Sequence, residues 1–352
     1  MADLRGYLEQ AVAEGASDLF IVAGGPVSCK RDGKLLHLSE GRVLPDDTAA
    51  LIQEIYALAG RDEASYLRDG DDDFSFALPG LARFRVSAYR QRGSLAAVIR
   101  VVAFEIPDYQ AMGIPEGVMA VAGLTHGLVL VSGTAGSGKS TTQACLIDRI
   151  NHTREGHIIT LEDPIEFLHR DNRCIVSQRE IAIDTLDYPA ALRACLRQAP
   201  DVILLGEMRD YETIRTAMTA AETGHLVIAT LHTKGAVNTV DRIVDSFPPE
   251  QQAQVRIQLS MVLRSVISQQ LLPAAAGGLV PAFELMHMNS AIRSMIRDSK
   301  NHQIDSVIQT SANEGMFSMD QSILKLWQEG RIAPETAVDY ADNPEQMRRR
   351  MK

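Results

Sequence analysis

The stretch that decides the fold lies at residues 128–141 and reads LVLVSGTAGSGKST. An apolar run of strand length, Leu128–Val131, precedes its glycine-rich part, and Thr141–Ile150 has the pattern of a helix. Residues 133–140 match G-x-x-x-x-G-K-[ST] at every fixed position, in the strand–loop–helix context that this motif requires. The glycines let successive backbone N–H groups turn toward phosphate oxygens, and the helix presents its positive end to the same anion. The stretch therefore predicts a P-loop that binds a nucleoside triphosphate.

The motif also predicts roles for individual side chains. We expect Lys139 to neutralise charge on the β- and γ-phosphates, and the Ser140 hydroxyl to bind Mg²⁺, so that the cofactors are ATP and Mg²⁺. The predicted nucleotide-binding residues are Gly133, Thr134, Ala135, Gly136, Ser137, Gly138, Lys139, Ser140 and Thr141.

Apolar runs of strand length recur after residue 118 and alternate with helical stretches. They lie at Leu128–Val131, Ile158–Leu161, Val202–Leu205 and Leu226–Leu231. Continuous apolar runs are typical of strands that are buried on both faces, and helices between them favour parallel pairing. The sequence therefore predicts an α/β domain with a doubly wound, mostly parallel sheet over residues 118–352.

Polar residues follow three of these strands. Glu162 comes after the second strand, Glu207 after the third and His232 after the fourth. Ligands of open α/β sheets bind beyond the carboxyl ends of the strands, so these side chains are expected to converge on the terminal phosphate. Either glutamate could support Mg²⁺ or polarise the attacking water, and spacing alone does not choose between them. We expect His232 to hydrogen-bond phosphate, and His225, at the start of its strand, to point elsewhere.

The first hundred residues have a different pattern. A short amphipathic helix at 4–14 and a second helix around 47–58 accompany strands, which is typical of an α+β module. The predicted strands are Leu19–Val22, Leu35–His37, Phe74–Leu78, Arg83–Tyr89 and Ala96–Val102. Residues 104–117 carry two prolines and two glycines without sustained periodicity, so we predict a first domain over 1–103 and a linker over 104–117.

Charge and cysteine content exclude several classes of protein. The 352 residues carry a net charge of −10, which argues against a protein that coats nucleic acid. Four cysteines without a C-x-x-C pair argue against a disulfide scaffold or a zinc ribbon and favour a reducing compartment. The first residues lack a secretion signal, so we expect a cytoplasmic protein. The acids Asp69 and Asp71–Asp73 lack the pattern of a calcium loop, and we expect them in a solvated turn.

Arginines are dense in the first domain. Alternation along its strands places Arg83 and Arg85 on one face, away from Phe84. Exposed strand arginines ordinarily only increase solubility. In a ring-forming ATPase a neighbour's arginine can stabilise transition-state charge, so Arg83, Arg85 and Arg100 are candidate arginine fingers.

Four segments in this order resemble the type II/IV secretion ATPases. GTAGSGKSTT at 133–142, LEDPIE at 161–166, GEMRD at 206–210 and TGHLVIATLHT at 223–233 are similar to that family's Walker A, Asp box, Walker B and His box. The stretch AIRSMIRDSK at 291–300 is similar to a helix of the PilT-type, or pilus-retraction, branch. It departs from the branch in Met295, Asp298 and Ser299, and the Walker A departs in Thr134 and Ala135.

The resemblance implies a homohexameric ring of two-domain subunits, each with a PAS-like first domain and a RecA-like ATPase domain. It implies that Glu207 is the catalytic glutamate and that Glu162 supports Mg²⁺ and water. It also implies a motor for type IV pilus retraction that acts on an inner-membrane platform protein from the cytoplasmic face, with peripheral membrane association only.

Three alternatives share the P-loop. A pilus-assembly or type II secretion ATPase would run in the opposite direction from a retraction motor. The deletion phenotype, bald rather than hyperpiliated cells, would separate the two. A RecA-like nucleic-acid translocase requires a basic channel rich in aromatic residues. The 5% aromatic content and the acidic net charge disfavour such a channel. A small-molecule kinase would transfer phosphate from ATP to an acceptor, so release of free phosphate without an acceptor would separate a motor from a kinase.

Overall fold

The computed structural model describes residues 3–31, 33–102 and 106–352. The chain divides into two compact units. The first contains the described residues up to 102, together with 166–168, and the second contains 106–165 and 169–352. In the part of the chain that is described, no helix combines the length and the apolar character needed to cross a membrane.

Among its described residues, the first unit contains one antiparallel sheet and three helices. Its sheet has the strand order β3-β2-β1-β6-β5-β4. The elements are α1 (Leu4–Ala13), β1 (Asp18–Ile21), β2 (Ser28–Arg31), β3 (Lys34–His37), α2 (Pro45–Ala59), α3 (Ala64–Asp69), β4 (Asp71–Leu78), β5 (Ala82–Gln91) and β6 (Ser94–Val102). The predicted helices and strands occur within a few residues of their expected bounds, whereas β2 and α3 had no counterpart in the sequence analysis.

Alternation along β5 shows how this sheet is built. Phe84 and Val86 are fully buried, while Arg83 and Arg85 between them are only half-buried. Successive side chains of a strand point to opposite faces, so the apolar set covers the core and the arginines face away from it. Leu51 and Ile55 of α2 pack into the same core.

The expectation that Asp71–Asp73 form a solvated turn is wrong, because these residues begin β4. Asp72 accepts hydrogen bonds from the Arg61 guanidinium at 2.8 and 2.9 Å and from the Tyr56 hydroxyl at 3.0 Å. β4 is an edge strand, where charged residues are tolerated because they discourage pairing with another chain.

The second unit contains the larger sheet. Its strands have the order β13-β12-β7-β11-β10-β8-β9 and are parallel, except that β13 runs antiparallel to β12. The elements are α4 (Glu116–Met119), β7 (Gly127–Ser132), α5 (Lys139–Thr153), β8 (Gly156–Glu162), β9 (Cys174–Glu180), α6 (Tyr188–Cys195), β10 (Val202–Leu205), α7 (Tyr211–Glu222), β11 (Leu226–Leu231), α8 (Ala236–Asp245), α9 (Pro249–Val262), β12 (Leu263–Pro273), β13 (Leu279–His287), α10 (Ser290–Arg297), α11 (Ile304–Thr310), α12 (Met319–Gln328), α13 (Pro334–Tyr340) and α14 (Pro344–Arg350), with 3-10 turns at Ala120–Gly123, Asn301–Gln303 and Ala312–Glu314.

The predicted mostly parallel sheet is confirmed, and its four central strands are the four predicted ones. Apolar side chains pack on both of its faces. The strands β9, β12 and β13 extend the sheet on both sides and were not predicted; β9 and β12 mix polar and apolar residues.

The segment predicted as a linker packs in part on the second unit. Residues 104 and 105 lie outside the described residues, whereas 106–115 contain no helix or strand, and Glu116 begins α4. Ile114 contributes to the core on one face of the larger sheet. The Glu116 carboxylate accepts hydrogen bonds from Arg149 of α5 at 2.5 and 3.0 Å.

Candidate active site

The glycine-rich loop connects β7 to α5 at the carboxyl edge of the larger sheet. Gly133 and Gly138 have positive φ angles of 151° and 87°. A Cβ at Gly138 would lie 2.8 Å from Nε2 of Gln269, and one at Gly133 would collide with the Gln269 carbonyl. These two positions therefore require glycine, because β12 approaches the loop too closely for a side chain.

Lys139 is the first residue of α5, and its buried ammonium lies inside the loop. Its Nζ donates to the carbonyl oxygens of Gly133 and Thr134, at 2.9 Å each. Ser140 and Thr141 occupy the first turn of the same helix, while Thr134, Ala135 and Gly136 are exposed.

The loop fits a phosphate group. Ser137 is almost fully buried, and its Oγ has no hydrogen-bond partner among the described residues. Buried polar atoms are rarely left unsatisfied, so this hydroxyl indicates a ligand position. Together with the Lys139 ammonium and the amino end of α5, it supplies the donors that a polyphosphate accepts.

Gln269 of β12 supports this loop and was missed in the sequence. Its Oε1 accepts a hydrogen bond of 2.7 Å from Thr142 of α5, and both side chains are buried. The two residues lie 127 positions apart. No local pattern indicates such a contact, which depends on the pairing of β12 with β7.

Glu207 lies just beyond β10 and is held from two sides. Its carboxylate is 2.5 Å from the Arg209 guanidinium through Oε1 and 3.2 Å from Nε2 of His232 through Oε2. Glu207 is only 8% exposed. The structure thus brings together two of the predicted residues, an acid and a histidine from neighbouring strands, and adds Arg209, which the sequence analysis did not single out.

Glu162 ends β8 on the other side of β10. Gly206 donates its backbone N–H to the Leu161 carbonyl at 2.8 Å, which joins the ends of these two strands beside Glu162 and Glu207. On the far side of β11, Gly133 donates to the Leu231 carbonyl at 3.3 Å. Glu162, Glu207, His232 and the P-loop therefore lie along one edge of one sheet.

Tyr188 is a further polar group at this edge. A Cβ on Gly206 would lie 2.8 Å from its hydroxyl, so the phenol lies directly over that glycine. Burial raises the pKa of Tyr188, and the nearby carboxylates, Glu207 first among them, raise it further. The hydroxyl is consequently a proton donor rather than a phenolate at neutral pH.

His225 lies at the opposite end of β11 from His232. Its Nδ1 is 3.0 Å from the Ala220 carbonyl and 3.2 Å from the Thr223 hydroxyl. Within residues 3–31, 33–102 and 106–352, no group of three or more histidine, cysteine or acidic side chains is arranged to hold a metal ion.

The three candidate arginines belong to the first unit. Arg85 of β5 is paired in register with Arg100 of β6, and Arg100 in turn with Asp18 of β1. The Arg100 Nε is 3.0 Å from the Asp18 carboxylate. Arg83, two residues before Arg85, is half-buried on the same face of β5.

Comparison with known proteins identifies the family of the chain. Residues 2–277 match the family described as type II/IV secretion system protein. The chain is 44% identical over 343 residues, 97% of its own length and 99% of the relative's, to the type IV pilus retraction ATPase PilT of Pseudomonas aeruginosa. It is 48% identical over 283 residues, 80% of its length and 76% of the relative's, to a twitching motility protein of Neisseria gonorrhoeae.

A crystal structure of the pilus retraction motor PilT with bound ADP superposes with a TM-score of 0.91. It shares 44% sequence identity, and the match covers 99% of each chain. The match therefore extends over both units. The chain therefore belongs to the family of type II/IV secretion system proteins.

Proposed function

We propose that this chain is an ATP-hydrolysing motor of type IV pilus retraction. The observation that carries the proposal is its 44% identity to PilT over 97% of the chain, joined to a P-loop whose lysine and glycines are in place. The relative of the same fold contains bound ADP, which supports nucleotide binding by this chain.

Nucleotide binding would use residues 133–141. The loop amides and the amino end of α5 attract phosphate oxygens, and the Lys139 ammonium neutralises their charge. The Ser140 hydroxyl would hold Mg²⁺, which when bound offsets negative charge on the transferred phosphoryl group.

Hydrolysis would use the residues at the ends of β8, β10 and β11. Glu207 is held by Arg209 and His232 at both oxygens, which fixes the carboxylate while leaving lone pairs to accept a proton from water. Glu162 would orient the attacking water and support the ligands around Mg²⁺. His232 would hydrogen-bond both the phosphate and the Glu207 carboxylate.

The motor would act as a homohexameric ring in which a RecA-like second unit hydrolyses ATP and a PAS-like first unit moves about the segment at 104–117. Arg83, Arg85 and Arg100 are candidates for stabilising transition-state charge in the neighbouring subunit. The ring would work at the cytoplasmic face of the inner membrane, against a platform protein of the pilus, without nucleic acid as a partner.

Phosphate release and a deletion strain test this function. We expect the purified chain to release phosphate from ATP without an added acceptor. We expect its deletion to leave cells hyperpiliated and unable to retract pili. Bald cells would identify an assembly motor instead, and ATP turnover that requires single-stranded DNA would identify a translocase.

Native mass spectrometry with a non-hydrolysable ATP analogue tests the ring. The expected species is six copies with bound nucleotide. A monomer that binds the analogue with full occupancy would contradict the ring and, with it, the role of the arginines.

A further inference from the structure

Strand β9, at the edge of the larger sheet, lies beside the strand that carries Glu162. β9 and β8 are parallel, and their register pairs Gln178 with Thr160 and Glu180 with Glu162. Side chains of the edge strand are therefore close to those at the end of β8.

The Gln178 amide makes hydrogen bonds in two directions. Its Oε1 accepts from the backbone N–H of His169 at 2.8 Å, and its Nε2 is 3.2 Å from Oε1 of Glu162. A backbone N–H can only donate, so the amide oxygen must face His169. The NH₂ group then faces Glu162 and donates to the carboxylate, which fixes the orientation of the amide without ambiguity.

The same oxygen of Glu162 receives a second donor. The Thr160 hydroxyl, which is fully buried in β8, donates to it at 2.6 Å. Two donors from two strands thus fix one carboxylate oxygen, and rotation of the glutamate would break both bonds.

The segment that follows Glu162 is tied to β9 at two points. Ile165 donates its backbone N–H to the Glu180 carboxylate at 3.2 Å, and His169 donates to Gln178. Gln178 therefore connects the rotamer of Glu162 to the chain segment that leaves β8.

We propose that Gln178 is a positioning residue for ATP hydrolysis, which holds the Glu162 carboxylate in its working orientation. This inference rests on the proposed role of Glu162. A displaced carboxylate reduces the rate of reaction more than the binding of nucleotide, because misplacement by about 1 Å costs on the order of 100-fold in rate.

The first test is Gln178→Glu in the full chain. The new side chain keeps an acceptor for His169 but replaces the donor to Glu162 with a second carboxylate. We expect kcat to fall by about 10-fold or more while KM for ATP stays within about twofold, since the lost interaction acts in the transition state. Gln178→Met, which removes both hydrogen bonds without adding charge, should lower kcat in the same way if Gln178→Glu folds poorly.

Gln252→Glu is the matched control. Gln252 is also half-buried in the second unit, and its Nε2 donates at 3.1 Å to the Phe247 carbonyl. This control should keep the wild-type kcat and KM. An equal loss of kcat in the control would show a general effect of charge and overturn the inference.

The second test is a double-mutant cycle with Glu162→Ala. If Gln178 acts through Glu162, Gln178→Glu should have almost no further effect on kcat in the Glu162→Ala background. In the contrary outcome, Glu162→Ala is impaired and the two losses of kcat multiply in the double variant. That result would overturn the role of Gln178 but leave the proposed site intact. Wild-type turnover in Glu162→Ala would instead overturn the role proposed for Glu162 and the inference that rests on it.

Discussion

The two sheets of this protein bury their strands in opposite ways. In β5 of the first unit, buried residues alternate with half-buried or exposed ones from Ala82 to Tyr89, whereas every residue of β7, β10 and β11 in the second unit is buried. The antiparallel sheet has one face toward its core, and the central parallel strands have apolar packing on both faces.

This difference determines where polar side chains are available for chemistry. Along an alternating strand, polar residues such as Arg85 occur anywhere on the outer face. Along a fully buried strand they occur at the ends, and the carboxyl ends of parallel strands meet at one edge. Glu162, Glu207 and His232 are concentrated there for this reason.

The largest effect is expected for Glu207→Gln, at the edge of the parallel sheet. The amide keeps the shape of the side chain but cannot accept a proton from water, so we expect kcat to fall by about 10²- to 10⁴-fold. Nucleotide binding should be retained, and equilibrium binding of a labelled ATP analogue beside steady-state turnover measures both. Turnover close to the wild-type value would show that the base lies elsewhere.

Lys139→Ala should weaken nucleotide binding itself. The variant removes a buried ammonium that is held inside the loop, and a charged hydrogen bond of this kind is worth on the order of 10- to 100-fold in affinity. Titration with a fluorescent ATP analogue measures the change. Unchanged affinity would mean that Lys139 only donates hydrogen bonds to the loop carbonyls and does not contact the nucleotide.

A buried acid inside the second unit should make stability depend on pH. Glu284 accepts backbone hydrogen bonds from Ala236 at 2.7 Å and Met319 at 3.4 Å, and burial raises its pKa to about 7. The pKa of Glu284 is higher in the folded state than in the unfolded state. Its contribution to the free energy of unfolding is therefore fully present below about pH 4 and is lost as the pH rises through 7.

The free energy of unfolding of the wild type should therefore fall by up to about 3 kcal/mol relative to Glu284→Gln as the pH rises from about 4 to 8. Urea unfolding of both proteins at several pH values measures this difference. Parallel pH profiles for the two proteins would contradict a raised pKa at Glu284.

The smallest effect on folding is expected for Arg100→Ala in the first unit. The arginine side chain is 63% exposed, and exposed ion pairs contribute about 0–1 kcal/mol, so thermal unfolding should barely change. A loss of turnover in assembled rings would then report a chemical role for this arginine. Alanine variants of Arg83, Arg85 and Arg100 that assemble and keep wild-type turnover would remove the arginine-finger proposal.

The sequence predicted the central parallel strands better than the outer ones. Val202–Leu205 and Leu226–Leu231 are continuous apolar runs and match β10 and β11 residue for residue. β12 contains the buried polar residues Ser265, Ser268 and Gln269, whose polarity concealed the strand in the sequence. They are stable there because partners such as Thr142 satisfy them, and no pattern within β12 indicates those partners.

The P-loop motif was predictable from the sequence alone, because its glycines and its helix start lie within a few consecutive residues. Sterics and backbone hydrogen bonding act over that range. Only the tertiary structure decided which side chains meet at the loop and beside it: Glu207 with His232, Glu162 with Gln178, and Thr142 with Gln269. These contacts depend on the order in which strands pair, and strand order is fixed by packing of the whole sheet rather than by any local segment.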